Sequence, residues 1–451
     1  MASVSDRPVA AIILAAGKGT RMKSDTHKVL HPIGGRPMLM HLLASLDELN
    51  PQRRVVVVGD KADQLQAALS GSDVQLAVQD PQLGTGHAVL QAEDGLAGFA
   101  GVALILFGDV PLVRADTMAR LVAAVNAGAA IAVLGFRPPN PGAYGRVIAD
   151  AGDRILKMVE AKDATPGELA VPLCNAGLMA VDATRLFALL KRVGNDNAAG
   201  EYYLPDIVML ANADGDVCRV LEAGTDEVLG VNSRGELAEA EALFQSLRRT
   251  ELMAGGVTMI APETVFLSFD TRIGRDSLVE PNVVFGPGVT LGDGVTIRAF
   301  SHLEGADVAG GCEVGPYARL RPGTVLGEDA KIGNFVETKK AVLGPGAKAN
   351  HLTYLGDATI GAKANIGAGT ITCNYDGFGK YPTAIGEGAF IGSNSALVAP
   401  VTIGDGAIVA AGSVVTQDVA ADALALGRAP QVSKTGWAAR FRAAALARKG
   451  K

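Results

Sequence analysis

The stretch Ile12-Ile13-Leu14-Ala15-Ala16-Gly17-Lys18-Gly19-Thr20-Arg21-Met22, followed by Lys28, organises the reading of the amino-terminal half. An apolar run over 9–14 opens into a turn with two glycines, two alanines and three nearby cations. This reads as a buried strand ending in a loop that cradles phosphate. Without a Cβ, glycine lets backbone N–H groups converge on an anion, and the cations add charge that a neutral loop lacks. A plain strand-to-helix turn would share the glycines; the basic residues favour phosphate.

Outward from this loop, strand-like runs at 9–15, 54–58, 74–78, 102–107 and 131–135 alternate with helical patterns at 38–49, 62–69, 87–91 and 117–126. Such alternation predicts a parallel sheet covered by helices, with ligands at the carboxyl ends of its strands. The Gly17 loop, Gly59-Asp60 and Gly108-Asp109 all fall at such ends. In Phe107-Gly108-Asp109-Val110-Pro111 a carboxylate directly follows an apolar strand, which suits Mg²⁺, an ion that shares oxygen ligands with phosphates. An aspartate capping the next turn is the alternative. Gln82-Leu83-Gly84-Thr85-Gly86-His87 reads as a tight loop into a helix, open to a base or phosphate or simply a helix start, and His87 alone reads as structural. Gly145, Glu160 and Asn175 each offer one polar group beside an apolar run, as a sugar pocket needs, though each also fits a surface position. Asn232 offers a neutral oxygen that could complement Asp109.

The chain has 451 residues, which suggests roughly three domains, and it is 48% hydrophobic and 20% charged, as globular proteins are. A net charge of −6 argues against nucleic acid as the main partner. Cys174, Cys218, Cys312 and Cys373 form no Cys-x-x-Cys pair and read as free thiols of a reducing cytoplasm. The run at 9–17 is followed by Lys-Gly-Thr-Arg rather than a cleavage site, so it does not read as a secretory leader. No apolar run reaches the roughly 18 residues that span a bilayer, so no stable membrane insertion is expected.

Leu14-Ala15-Ala16-Gly17 with Thr20-Arg21-Met22, Lys28, Gly84-Thr85-Gly86 and Gly108-Asp109 together resemble the sugar-phosphate nucleotidylyltransferase family over about residues 8–232. The resemblance implies a Rossmann-like fold. It also implies attack of a sugar-1-phosphate oxygen on the α-phosphate of a nucleoside triphosphate, a reaction that needs positioning and charge neutralisation. By that likeness Arg21 and Lys28 stabilise phosphates, and Leu14, Ala15, Ala16, Gly17, Phe107 and Gly108 line the nucleotide site. Gln79, Gly84 and Thr85 face the base. Gly145, Glu160 and Asn175 contact the sugar, and Asp109 and Asn232 hold Mg²⁺.

Residues 233–254 read as a helical linker. Ser233 and Glu236 form a capping-box pattern, and Leu237, Ala240, Phe244 and Leu247 make one narrow apolar stripe. From about 265 the texture changes. Aliphatic residues recur every six positions, often before glycine: Leu291-Gly292, Leu326-Gly327, Ile332-Gly333, Leu343-Gly344, Ile360-Gly361, Ile391-Gly392 and Ile403-Gly404. A six-residue period means three short strands per triangular coil, hence a parallel β-helix. Interruptions of the repeat are the informative places. Arg321 and Lys339 lie 18 positions apart, so they should stack, and stacked cations call for an anion between them. His351 lies 12 beyond Lys339 and 14 before Asn365, so register alone does not place it. A third interruption is the insertion at 372–381.

These residues resemble the bacterial bifunctional N-acetylglucosamine-1-phosphate uridylyltransferase/glucosamine-1-phosphate N-acetyltransferase family, now over nearly the whole chain. The resemblance implies a left-handed β-helix and a homotrimer with this site built between β-helices. It implies that Arg321 and Lys339 bind the phosphate of glucosamine-1-phosphate. His351 would take a proton from the attacking amine, a task that suits an imidazole, whose ordinary pKa is about 6.5. Tyr354, Asn365 and Lys380 orient the sugar, while Ala368, Asn374, Tyr375, Ser393, Ala411 and Arg428 contact acetyl-CoA. The expected organisation is 1–232 uridylyltransferase, 233–254 linker, and 255–451 N-acetyltransferase with a basic helical tail. The expected function is acetyl transfer from acetyl-CoA to glucosamine-1-phosphate, then uridylyl transfer from UTP to N-acetylglucosamine-1-phosphate with release of pyrophosphate. The product, UDP-N-acetylglucosamine, feeds cell-envelope polysaccharides. The alternative is a single-activity nucleotidylyltransferase with a purely structural β-helix.

Overall fold

The computed structural model describes residues 7–449 and divides into two compact units, Met1–Arg248 and Arg249–Lys451. In the first unit, β1 (Val9–Ala15) sits in the middle of the sheet. It pairs in parallel with β2 (Arg53–Val58) and with β4 (Val102–Phe107). Beyond β2 lies β3 (Gln75–Val78). Beyond β4 come β8 (Cys174–Asp182), β5 (Ile131–Phe136) and β9 (Cys218–Glu222). Alternate β1 residues feed two cores: Ala10, Ile12 and Leu14 pack on one face, Ala11, Ile13 and Ala15 on the other.

The expected parallel sheet is corrected at β8, which runs antiparallel to both β4 and β5, and at the antiparallel hairpin that precedes it. The chain enters β8 from a hairpin, β6 (Arg146–Ala149) and β7 (Ile155–Val159), rather than from a crossover helix. Only a crossover returns a chain parallel to its neighbour. An apolar run locates a strand but carries no sign of its direction.

The helix α1, Arg234–Ala254, contains the division between the units. Its start differs from a regular capping box. Ser233 Oγ accepts from the Glu236 N–H at 3.3 Å, but the Glu236 carboxylate accepts from the Asn232 N–H at 2.7 Å, one residue early. Ala240 and Phe244 are buried, with Phe244 edge-on to His41 at 5.3 Å, whereas Leu247 of the expected stripe is exposed.

In the second unit, strands of two to seven residues form three ladders of parallel coils. Register partners lie one coil apart, as in Leu320↔Thr338, Leu343↔Ile360 and Ile391↔Val409. The six-residue aliphatics stack into one continuous core that includes Leu291, Ile297, Leu320, Leu343, Leu355, Ile391 and Val409. Trp437–Lys449 closes the described chain as an exposed helix. Among the described residues no helix is long and apolar enough to cross a membrane.

Ile391 is fully buried, with 0% exposure, and has coils above and below it. Ile391→Ala is expected to lower the unfolding free energy by about 2–5 kcal/mol in a urea titration. A change below about 0.5 kcal/mol, the size of ordinary surface substitutions, would overturn the stacked-core account.

Candidate active sites

The carboxyl ends of β1 and β4 are joined by the Gly108 N–H, which donates to the Leu14 carbonyl at 2.9 Å. Above this junction opens a cavity of about 280 Å³. Leu14, Ala15, Ala16, Gly17, Lys28, Gln79, Gly84, Thr85, Phe107 and Asp109 all line it. An adjoining cavity of about 250 Å³ shares Thr85 and Phe107 and adds Gly145, Glu160 and Asn175. Together they reach the size of small-molecule sites. Arg21 lies on the short turn Thr20–Met22, exposed, and lines neither cavity.

Two glycines shape the rim. Gly19 has a φ of +60°, and a Cβ there would lie 2.9 Å from Lys28 Cβ. Gly84 has a φ of +109°, and a Cβ there would lie 2.7 Å from the Tyr202 carbonyl oxygen. Tyr202 pins the loop from both sides: its N–H donates to Leu83 at 2.9 Å and its carbonyl accepts from Gly86 at 2.8 Å. Buried Gln79 donates through Nε2 to the Gly84 carbonyl at 3.0 Å and lies 3.1 Å from His87 Nδ1. Gln82, which lines the cavity and donates to the Ala16 carbonyl at 2.8 Å, was given no role from sequence; neither was Glu201. Gln82 stood in the recognised loop, but Glu201 reaches the cavity only through tertiary folding.

Lys28 Nζ is ion-paired with Asp109 and lies 3.0 Å from Asn232 Oδ1. The two oxygens therefore converge on one cation. No cluster of three or more His, Cys, Asp or Glu side chains that could hold a metal ion exists among the described residues. Burial pushes the Glu160 carboxyl above its ordinary pKa, and the Asp206, Asp163 and Glu201 charges add to the shift. The Asn175 N–H donates to the Gly145 carbonyl at 2.8 Å, joining two of the predicted sugar contacts.

On the β-helix, Arg321 and Lys339 do stack, because Leu320 pairs with Thr338. The stack is not bare, however: Arg321 is paired with Glu337 at 2.8 Å. Lys380 comes from the insertion to within hydrogen-bonding reach of Lys339. That contact, together with the charges of Lys380 and Arg321, holds the Lys339 ammonium below its ordinary pKa. A third cation thus joins the pair, on a hairpin closed by the Tyr375–Lys380 bridge.

His351 receives its position from the fold. Its Nδ1 lies 2.8 Å from Asn334 Oδ1, and the two residues are register partners on adjacent coils. One corner of the prism then continues through predicted residues. The carbonyls of Asn334, His351, Ala368 and Ser393 accept from the N–H groups of Leu352, Gly369, Asn394 and Gly412, at 3.0, 3.3, 2.7 and 2.8 Å. Ala411 follows in the same column, directly before Gly412, and Arg428 lies alongside, with its Cδ 4.0 Å from where a Gly412 Cβ would sit. Asn365 lies three residues before Ala368 on the strand Asn365–Ile366. Tyr354 pairs in register with Glu337, and Asn374 donates to Asp357 at 2.5 Å. Asn334, Glu337 and Asp357 were missed from sequence. Each sits one coil before a predicted residue, so the coil-length offset was the signal that would have found them.

Residues 11–166 match the model of the MobA-like NTP transferase domain. Residues 270–305 match the bacterial transferase hexapeptide, six repeats, and residues 382–417 the hexapeptide repeat of succinyl-transferase. Fold and sites thus define a nucleotidyltransferase joined to a left-handed hexapeptide-repeat transferase. The chain is 66% identical to the Bifunctional protein GlmU of Sphingopyxis alaskensis, over 97% of each chain. Against the proteins of that name from Azorhizobium caulinodans and Zymomonas mobilis, identity is 57% (98% of this chain, 99% of the relative) and 54% (97% and 98%). The chain belongs to the bifunctional GlmU family, and it is an enzyme of both uridylyl and acetyl transfer.

The raised Glu160 pKa carries a sign. The folded state holds this proton more tightly than the unfolded state. Stability is therefore lost as pH rises from the ordinary carboxylate range through the folded pKa. Glu160→Gln is expected to raise the urea midpoint at neutral pH and to leave it unchanged at a pH below the carboxylate range. Equal effects at both pH values would refute the burial account.

Proposed function

We propose that the amino-terminal cleft binds UTP and N-acetylglucosamine-1-phosphate, and that the outer face of the β-helix binds glucosamine-1-phosphate and acetyl-CoA. The single observation that carries the second half is the Arg321–Lys339–Lys380 cluster, on coils adjoining the Asn334–His351 pair. A prism stabilised by an aliphatic interior has no structural need for three like charges on its outside. An anion relieves their repulsion, and a sugar phosphate brings one.

In acetyl transfer, the 2-amino nitrogen attacks the thioester carbon. The C–N bond forms, the C–S bond breaks, the amine proton passes to His351 and then to the departing thiolate. The column of small residues Ala368, Ser393 and Ala411 leads away from His351 and leaves room for the extended arm of coenzyme A, with Arg428, Asn374 and Tyr375 alongside. Tyr354 and Asn365 orient the sugar.

In uridylyl transfer, a phosphate oxygen of N-acetylglucosamine-1-phosphate attacks the α-phosphate of UTP and pyrophosphate leaves. Lys28, Arg21 and the Gly17 loop meet phosphate charge. Gln79, Gly84 and Thr85 read the base, and Gly145, Glu160 and Asn175 hold the sugar. Asp109 and Asn232 would hold Mg²⁺, since their oxygens already share one cation, the Lys28 ammonium. When bound, the ion supplies neutralisation of the phosphate charge. A homotrimer is part of the same proposal. The exposed ladder Phe300–Tyr317–Phe335, stacked at 4.9 and 5.2 Å, supports self-association. A cytoplasmic place is supported by the four free cysteines, Cys174, Cys218, Cys312 and Cys373.

His351→Ala is expected to cut acetyl transfer by about 10²-fold or more and to spare uridylyl transfer. Asp109→Ala is expected to do the reverse, reducing pyrophosphate release while coenzyme A release continues. Separate assays of coenzyme A and pyrophosphate release read both. Parallel loss of the two activities in either variant would overturn the assignment of separate sites.

A further inference from the structure

We propose that Asn334 is the positioning residue for His351: it fixes the imidazole in the tautomer protonated at Nδ1 and leaves Nε2 as the nitrogen that takes a proton. The inference rests on the reading of His351 as the base of acetyl transfer. Its observation is the 2.8 Å contact between Asn334 Oδ1 and His351 Nδ1 on adjacent coils. A neutral imidazole carries one N–H, and a carbonyl oxygen only accepts. The proton of the neutral ring therefore sits on Nδ1. An amide turned by half a rotation would donate to Nδ1 instead and place the proton on Nε2, where no base could act.

The backbone on both sides is held. Leu352 donates to the Asn334 carbonyl at 3.0 Å, Thr353 Oγ1 donates to the His351 carbonyl at 2.7 Å, and Gly369 donates to the same carbonyl at 3.3 Å. The ring is exposed to solvent, so packing does not choose its orientation and the amide contact has to. The choice of amide over carboxylate also has a reason. A carboxylate here would favour the imidazolium, which cannot accept a proton, and would compete for the cations that face the sugar phosphate. Partners of this kind that orient a functional imidazole are worth about 10–100-fold at metal sites, and a similar factor is expected here.

The test uses the full chain in two measurements. The first is acetyl-transfer kinetics of Asn334→Ala, with uridylyl transfer and the urea midpoint as folding controls. The expected result is a fall in kcat of about 10–100-fold, with KM for glucosamine-1-phosphate and uridylyl transfer nearly unchanged. The second is NMR of the imidazole nitrogens in ¹⁵N-histidine-labelled protein, which has only six histidines, with His351→Ala used to assign the signal. Wild type is expected to show the Nδ1–H form, Asn334→Asp to keep the Nδ1 proton but shift toward the imidazolium, and Asn334→Ala to show a mixture of the two neutral forms. An Nε2–H signal in wild type, or an Asn334→Ala variant with unchanged kcat and tautomer, would overturn the proposal. The two readings fail separately. Retained acetyl transfer in His351→Ala removes the base. Its loss there, with Asn334→Ala fully active, removes only the positioning role.

Discussion

Everything on the β-helix depends on the parallel backbone hydrogen bonds that tie each coil to the next. They hold Leu343 over Ile360 and Ile391 over Val409 inside, and by the same register they hold Asn334 beside His351 outside. The aliphatic interior supplies the stability, and the ladder turns it into precise placement of surface groups. The corner from Asn334 through His351, Ala368 and Ser393 is one run of such bonds. Polar groups mounted on this edge need little burial of their own, because the backbone beneath them cannot shift without breaking the stack.

The amino-terminal unit meets the same requirement with a mixed sheet. The bond from Gly108 to Leu14 locks two strand ends at one level, so the Gly17 loop and Asp109 face a common cavity. Gly84 and Tyr202 then bring the loop at 83–86 against the cavity from a distant part of the chain. Each unit thus has parallel strands at its centre, and in each the candidate site sits at an end or corner of them.

Charge is handled differently in the two places. Lys28 lies between Asp109 and Asn232, so one ammonium is held by two side-chain oxygens at the edge of the cleft. On the prism, Glu337 balances Arg321, while Lys339 and Lys380 crowd each other enough to lower the Lys339 pKa. The surplus positive charge lies on the outer face of the β-helix, at Lys339 and Lys380. The overall charge of −6 keeps that positive patch local.

The sequence by itself determined the elements and the residue types. A continuous apolar run at Val55 to Val58, a helical spacing from Ala240 to Phe244 and a six-residue period from Leu291 to Val409 are all written in the chain, because burial acts on one residue at a time. The glycines and cations of the first loop were legible for the same local reason. Tertiary structure alone decided the direction of the strand Cys174–Asp182, the arrival of Glu201 and Tyr202 at the cleft, and the pairing of Asn334 with His351. Strand direction is set by the path of the connecting chain, and contacts between residues far apart depend on register, which shifts whenever a coil gains or loses a residue. No local pattern records either, so these features became visible only once the chain was folded.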